Sequence, residues 1–220
     1  MDWEAIRLSL QLAACTTAIL CLLGLPLAYW LAVSRRRWKF LIEAVVTLPL
    51  VLPPTVLGFY ILVAISPNSP IGRAYEDLTG ERLPFSFPGL LVASVLYSLP
   101  FAVRPFVAAF AGVDRRLVEA SWCLGVSRSR TFLRVVMPLA WTGILSGIVL
   151  CFAHTMGEFG VVFMVGGGIP GETQTVSIAI YNAVENERYA VAFQTSLFLL
   201  GFSFAALAVT YALQRRVWVV

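Results

Sequence analysis

Of 220 residues, 59% are hydrophobic and 13% charged, with a mean hydropathy of +0.84. Soluble globular domains carry about 25% charged residues, so this composition excludes a soluble domain and indicates an integral membrane protein. The net charge of +4 calls for no nucleic-acid partner, because basic residues flanking membrane spans account for it.

A bilayer core about 30 Å thick takes roughly 20 helical residues to cross. Runs of that kind lie near 8–33, 40–65, 87–112, 137–165 and 190–214. Continuous apolar runs exclude the alternating pattern of a β-barrel, so the chain reads as all-α, with five transmembrane helices in a single domain, 1–220. The first run follows an acidic start, Asp2 and Glu4, is too long for a signal peptide and lacks a small-residue cleavage site. It is expected to stay as a span.

Orientation follows from the basic residues. Arg35, Arg36, Arg37 and Lys39 follow the first run, Arg115, Arg116, Arg128, Arg130 and Arg134 lie between the third and fourth, and Arg215 and Arg216 end the chain. The opposite segments hold Arg7, Arg73, Arg82 and Arg188 among many acids. The positive-inside rule predicts N-out, C-in.

In the second run, Pro49, Pro53 and Pro54 each remove a helical hydrogen bond and predict kinks, either a static bend or a moving gate. In the third, Pro100 and Pro105 read as packing features, and Arg104 either attracts an anion or snorkels to the inner surface. The cytoplasmic segment 113–136 is polar. Asp114 suits an N-cap for a helix from Arg115, Gly125 suits its stop, and Ser127 suits the cap of a second helix running through Phe132 to Pro138. Leu117, Ser121 and Leu124 are expected on one face, with Val118 and Trp122 beside them. Such a short helix needs a surface to dock on, either the membrane or a cytoplasmic partner.

Glu158 is the acidic residue well inside a span, with His154, the only histidine, one turn earlier. The pair reads as a proton relay or as a local hydrogen-bonded pair fixing helix packing, the latter placing Glu158 near an outer gate. Gly166, Gly167, Gly168, Ile169, Pro170 and Gly171 close the fourth run, Pro170 and Gly171 suiting a type II turn. That loop is either a flexible connection or a nest of N–H groups for an anion. Cys15, Cys21, Cys123 and Cys151 show no C-x-x-C spacing, so neither a disulfide framework nor a metal site is expected.

The stretch E-A-S-W-C-L-G-V-S-R-S-R-T-F-L-R-V-V-M-P, from Glu119 to Pro138, resembles the cytoplasmic loop of bacterial ABC importer permeases: E-A-A, three residues, G, nine residues, I-x-L-P. Ser121, Val135 and Met137 depart from it by small changes in size. G-E-F-G at 157–160, I-P-G-E-T at 169–173 and L-P-L-V-L-P-P-T at 48–55 are similar to permeases for molybdate.

The resemblance implies a type I ABC importer permease fold in a bacterial inner membrane, acting as a homodimer. It implies Glu119, Ala120, Ser121, Trp122, Leu124 and Gly125 as the part that docks on a partner ATPase. Pro53, Pro54, Thr55, Glu158 and Gly160 are expected along the translocation path or its gate. Gly167, Gly168, Pro170, Gly171, Glu172 and Thr173 are expected to meet an extracytoplasmic molybdate-binding protein.

A P-loop needs a lysine after its glycines, and the only lysine is Lys39 in R-R-R-W-K-F. The chain is therefore expected to be no enzyme and to hold no cofactor, its partners being a second copy, an ATPase dimer, the binding protein and membrane lipid. The expected cargo is molybdate and its near relative tungstate. The alternatives are sulfate, thiosulfate or another oxyanion and, from another class, proton-coupled transport through Glu158 and His154.

Overall fold

The computed structural model describes residues 2–215, with side chains to residue 212, and every described element is helical. Arg216 lies outside the described residues, as does the side chain of Arg215.

Helix α1 (Trp3–Val33) starts where the Asp2 carboxylate accepts the Ala5 N–H at 3.0 Å, satisfying one of the unpaired first-turn donors. Its buried stripe, including Leu12, Leu20, Ala28 and Leu31, lies against α5 (Phe87–Ala111) and α8 (Met137–Gly157). The main core joins Leu20 and Leu31 of α1 to Val103, Phe106 and Phe110 of α5 and Ile144 of α8.

Four uninterrupted helical stretches are long and apolar enough to cross a membrane among the described residues: 3–33, 87–111, 128–157 and 189–212. The second predicted run departs from expectation. Instead of one kinked helix it forms α2 (Lys39–Val51) and α3 (Pro54–Ile65), bent by 115°. The cause is local. Proline disfavours the helical region for the residue before it, so Leu52 and Pro53 are both extended, at ψ 138° and 135°, while Pro54 occupies the first helical position, where its missing N–H costs nothing. Pro49 sits within α2.

The fourth predicted run also breaks, near its C-terminal end. Helix α8 stops at Gly157, Glu158 is extended at ψ 137°, and α9 (Gly160–Gly166) follows. Glycines at 157 and 160 bracket this break, and glycine is a weak helix former. The two half-helices α3 and α9 pack on each other.

Two of the connections between the predicted runs contain helices: α4 (Pro70–Thr79), capped by Ser69, and α10 (Val176–Glu185). Ser9 of α1 accepts the Val176 N–H at 2.8 Å, tying α10 to the start of the chain. The last helix, α11 (Tyr189–Arg215), packs on α8 and α10 and otherwise shows a mostly exposed apolar surface.

Candidate functional site

The polar segment folds as a helical hairpin at one end of the bundle. Helix α6 (Arg115–Cys123) begins at Asp114, whose carboxylate accepts the Arg116 N–H at 2.9 Å. It ends at Gly125, whose φ of +74° is the left-handed conformation glycine takes without strain. Ser127 occupies the cap position of α7 (Arg128–Thr131) but makes no side-chain capping bond. A π-helical turn at Phe132–Val136 joins α7 directly to α8, so the second helix of this segment and the fourth span form one rod.

The hairpin is pinned from within. The Ser121 and Thr131 hydroxyls lie 2.9 Å apart and buried, the Val126 N–H reaches the Ser121 carbonyl at 3.1 Å, and the Arg128 guanidinium sits 5.7 Å from the centre of the Trp122 ring. Ser121, a departure from the resemblance pattern, thus has a partner ten residues later. Its face differs from expectation: Val118 and Ser121 turn inward, whereas Leu117 and Leu124 point away, Leu124 being 83% exposed. A three-ring cluster under the hairpin was not foreseen. Tyr29 of α1 meets Phe110 of α5 at 5.4 Å and Phe132 of the π turn at 4.7 Å, both edge to face. Helical spacing marks these rings as core, but no local pattern joins three distant elements.

Glu119 and Ala120 are exposed. Glu119 lines a cavity of about 390 Å³ beside Arg35 and Arg115, yet forms no ion pair within 4 Å among the described residues, where the pairs are Lys39–Glu43 and Arg82–Glu76.

The broken spans bring a second group of expected residues together. Pro53, Pro54 and Thr55 are exposed at the start of α3. A Cβ on Gly160 would stand 2.7 Å from the Pro54 Cβ, and one on Gly58 would stand 2.8 Å from the Met164 Cβ, so α3 and α9 touch almost backbone to backbone. Glu158 lies behind this contact, 4% exposed, with neither carboxylate oxygen hydrogen-bonded among the described residues. The Ser94 hydroxyl of α5 lies alongside without a bond of good geometry.

The expected Glu158–His154 pair does not form. His154 Nδ1 is 3.1 Å from the Ser98 hydroxyl, which also meets the Thr155 hydroxyl at 2.9 Å, and the ring stacks on Phe101 at 3.6 Å. The α5–α8 seam takes the histidine, and no hydrogen bond links it to Glu158. Arg104 is exposed on α5.

At the opposite end, the Glu172 N–H reaches the Ile169 carbonyl at 3.2 Å across Pro170 and Gly171, with Gly171 at φ +79°, the expected turn. Gly167, Pro170, Gly171 and Glu172 are exposed, but Gly168 and Thr173 are buried, so these two offer no surface to a partner. Thr173 is an anchor: its hydroxyl donates to the Gly166 carbonyl at 2.6 Å and accepts the Ile169 N–H at 2.9 Å. Thr173→Val leaves both groups unpaired and is expected to lower stability by about 2 kcal/mol, read as a drop in melting temperature that Thr173→Ser largely avoids.

No group of three or more metal-ligating side chains occurs among the described residues.

Comparison with known proteins places this geometry. The family described as "Binding-protein-dependent transport system inner membrane component" matches residues 24–219. A molybdenum transport system permease protein of Azotobacter vinelandii is 49% identical over 214 residues, 97% of this chain and 95% of the relative. A sulfate transport system permease protein of Synechococcus elongatus is 30% identical over 213 residues, 97% of this chain and 74% of the relative. Among solved structures, a bacterial alginate ABC transporter in complex with an alginate-bound periplasmic protein matches with a TM-score of 0.71 at 17% identity, covering 96% of this chain and 76% of that one.

Proposed function

The chain belongs to the family of binding-protein-dependent transport system inner membrane components, and from that membership we propose that it is the permease subunit of an ATP-driven importer that carries molybdate across the bacterial inner membrane. The permease is not itself an enzyme. ATP is hydrolysed on a separate cytoplasmic subunit, and an extracytoplasmic binding protein delivers the cargo.

The observation that carries the mechanism is the exposed hairpin. Leu124 at 83% exposed and Leu117 at 49% leave an apolar patch on α6 beside the exposed Arg116, Glu119 and Ala120, the composition of a surface awaiting a partner. The hairpin is pinned by the Ser121–Thr131 bond and runs through the π turn into α8. A push on α6 from an ATPase is therefore delivered to α8 and, through the ring cluster, to α1 and α5. The face toward the ATPase comprises Glu119, Ala120, Leu124 and the Gly125 turn, with Ser121 and Trp122 holding the hairpin in shape.

The chain is oriented N-out and C-in, as the clustering of its basic residues favours, and acts as a homodimer. Two features support the second copy. Pro53, Pro54 and Thr55 form one exposed wall, backed by α9, and a pathway needs a second wall. Five spans also do not divide into equal inverted halves. The path then runs between the copies along the broken α2–α3 pair, and Gly167, Pro170, Gly171 and Glu172 face the binding protein. Molybdate is preferred over sulfate because the molybdenum permease relative is the more similar.

The test is uptake of labelled molybdate into proteoliposomes holding the chain with its ATPase, the binding protein outside, ATP or a non-hydrolysable analogue inside, and sulfate in excess. Uptake that requires hydrolysis and survives sulfate is expected. Loss of uptake to sulfate transfers the cargo to sulfate, and indifference to ATP overturns the importer. Glu158→Gln keeps the shape of a buried side chain that forms no hydrogen bond among the described residues and removes its charge, so ATP-driven uptake is expected to be largely retained. A proton-coupled carrier loses nearly all of it.

A further inference from the structure

An open crevice of about 880 Å³ runs between the C-terminal half of α1 and the start of the fourth span, a volume within the usual range of ligand sites. Its walls are apolar. Leu22, Leu25 and Pro26 of α1 face Leu133 and Met137 across it, and its rim is open, with Leu22 73% and Leu133 66% exposed. Its lining includes no acid and one full charge, Arg128, which stands over Trp122 at the end nearest the hairpin.

Charge complementarity selects the occupant. In a bilayer the apolar walls are satisfied by any lipid tail, but an arginine without an ion pair among the described residues, next to Ser129 and Trp122, suits a phosphate with net negative charge. Basic pockets between spans on the cytoplasmic side bind anionic headgroups in this way. We propose that this crevice holds one anionic phospholipid of the inner leaflet, its tails along Leu22, Leu25 and Met137 and its phosphate on Arg128. The inference rests on the N-out, C-in orientation proposed above. Because Val118 and Trp122 of the hairpin form part of the crevice wall, a bound lipid also braces α6 against α1.

The test needs no transport. The complete transporter is placed in nanodiscs containing brominated phosphatidylglycerol or brominated phosphatidylcholine, and the quenching that disappears in Trp122→Phe is assigned to Trp122. Phosphatidylglycerol is expected to be preferred about fivefold, the worth of one arginine at a membrane surface. Arg128→Gln is expected to erase the preference, whereas Arg130→Gln, whose side chain does not line the crevice, leaves it intact. Equal quenching by both lipids overturns the proposal in favour of ordinary boundary lipid. No quenching by either overturns it in favour of a protein cover, a second copy or the ATPase. Melting temperatures of both variants exclude unfolding as the cause, and molybdate uptake stands or falls separately.

Discussion

Glu119→Lys is expected to reduce ATP-driven uptake at least thirtyfold while the protein folds and assembles in the membrane as before. The side chain is exposed and has no ion pair of its own among the described residues, so the substitution removes nothing from the fold, and surface changes of this kind stay within about 0.5 kcal/mol. Its value lies outside the chain. Placing a like or unpaired charge in a docked surface costs about 2–5 kcal/mol, and 2 kcal/mol is already some thirtyfold in affinity. Two readings separate the outcomes. Co-purification of the ATPase should fall together with uptake, and the melting temperature of the isolated permease should stay within about 2 °C. If uptake and ATPase retention both survive, α6 does not dock through Glu119. If both fall together with the melting temperature, the residue is structural and the exposed face has another use.

The location of the polar hairpin was legible because its determinants are local. Asp114 caps, Gly125 adopts a positive φ, and polar residues interrupt an apolar chain, all within twenty residues. Which face of α6 points inward was not legible. Leu117 and Leu124 satisfy a helical period as well as Val118 and Ser121 do, and only the distant partners Thr131 and Phe132 settle the choice. The α2–α3 break was half legible: three prolines announced a disturbance, but a 115° bend needs two consecutive extended residues, and Leu52 becomes extended only because Pro53 follows it. The α8–α9 break carries no proline. His154 drew attention as the only histidine, yet its ring is held by Ser98 and Phe101 of another helix. The α4 and α10 helices are not legible because short helices between spans lack the long apolar runs that reveal spans.

The contact between the two half-helices gives the second large effect. Gly58→Ala is expected to cut uptake tenfold or more while leaving ATPase binding unchanged. A methyl there would lie 2.8 Å from the Met164 Cβ and 3.3 Å from the Val161 Cα. Both atoms belong to the backbone or are fixed to it, so no rotamer change relieves the clash and α3 must move away from α9. Overpacking of this kind costs about 1–3 kcal/mol, too little to unfold the protein but spent at the seam where both spans are broken. Gly160→Ala strikes the same seam through the Pro54 Cβ at 2.7 Å and should give the same phenotype. Gly201→Ala on α11, where a new Cβ meets nothing within 4 Å, serves as the control. The discriminating variant is Gly58→Ala combined with Met164→Gly, which removes the closest clashing atom. Recovery of much of the uptake, despite the roughly 1 kcal/mol cost of glycine in a helix, identifies the α3–α9 spacing as the variable that governs transport. Persistent loss would mean that Gly58 acts through some other surface, such as the one facing the second copy. The hairpin and the α3–α9 seam lie in different parts of the chain, so Glu119 and Gly58 variants should fail differently: the first uncouples the ATPase, the second leaves it attached to a blocked path.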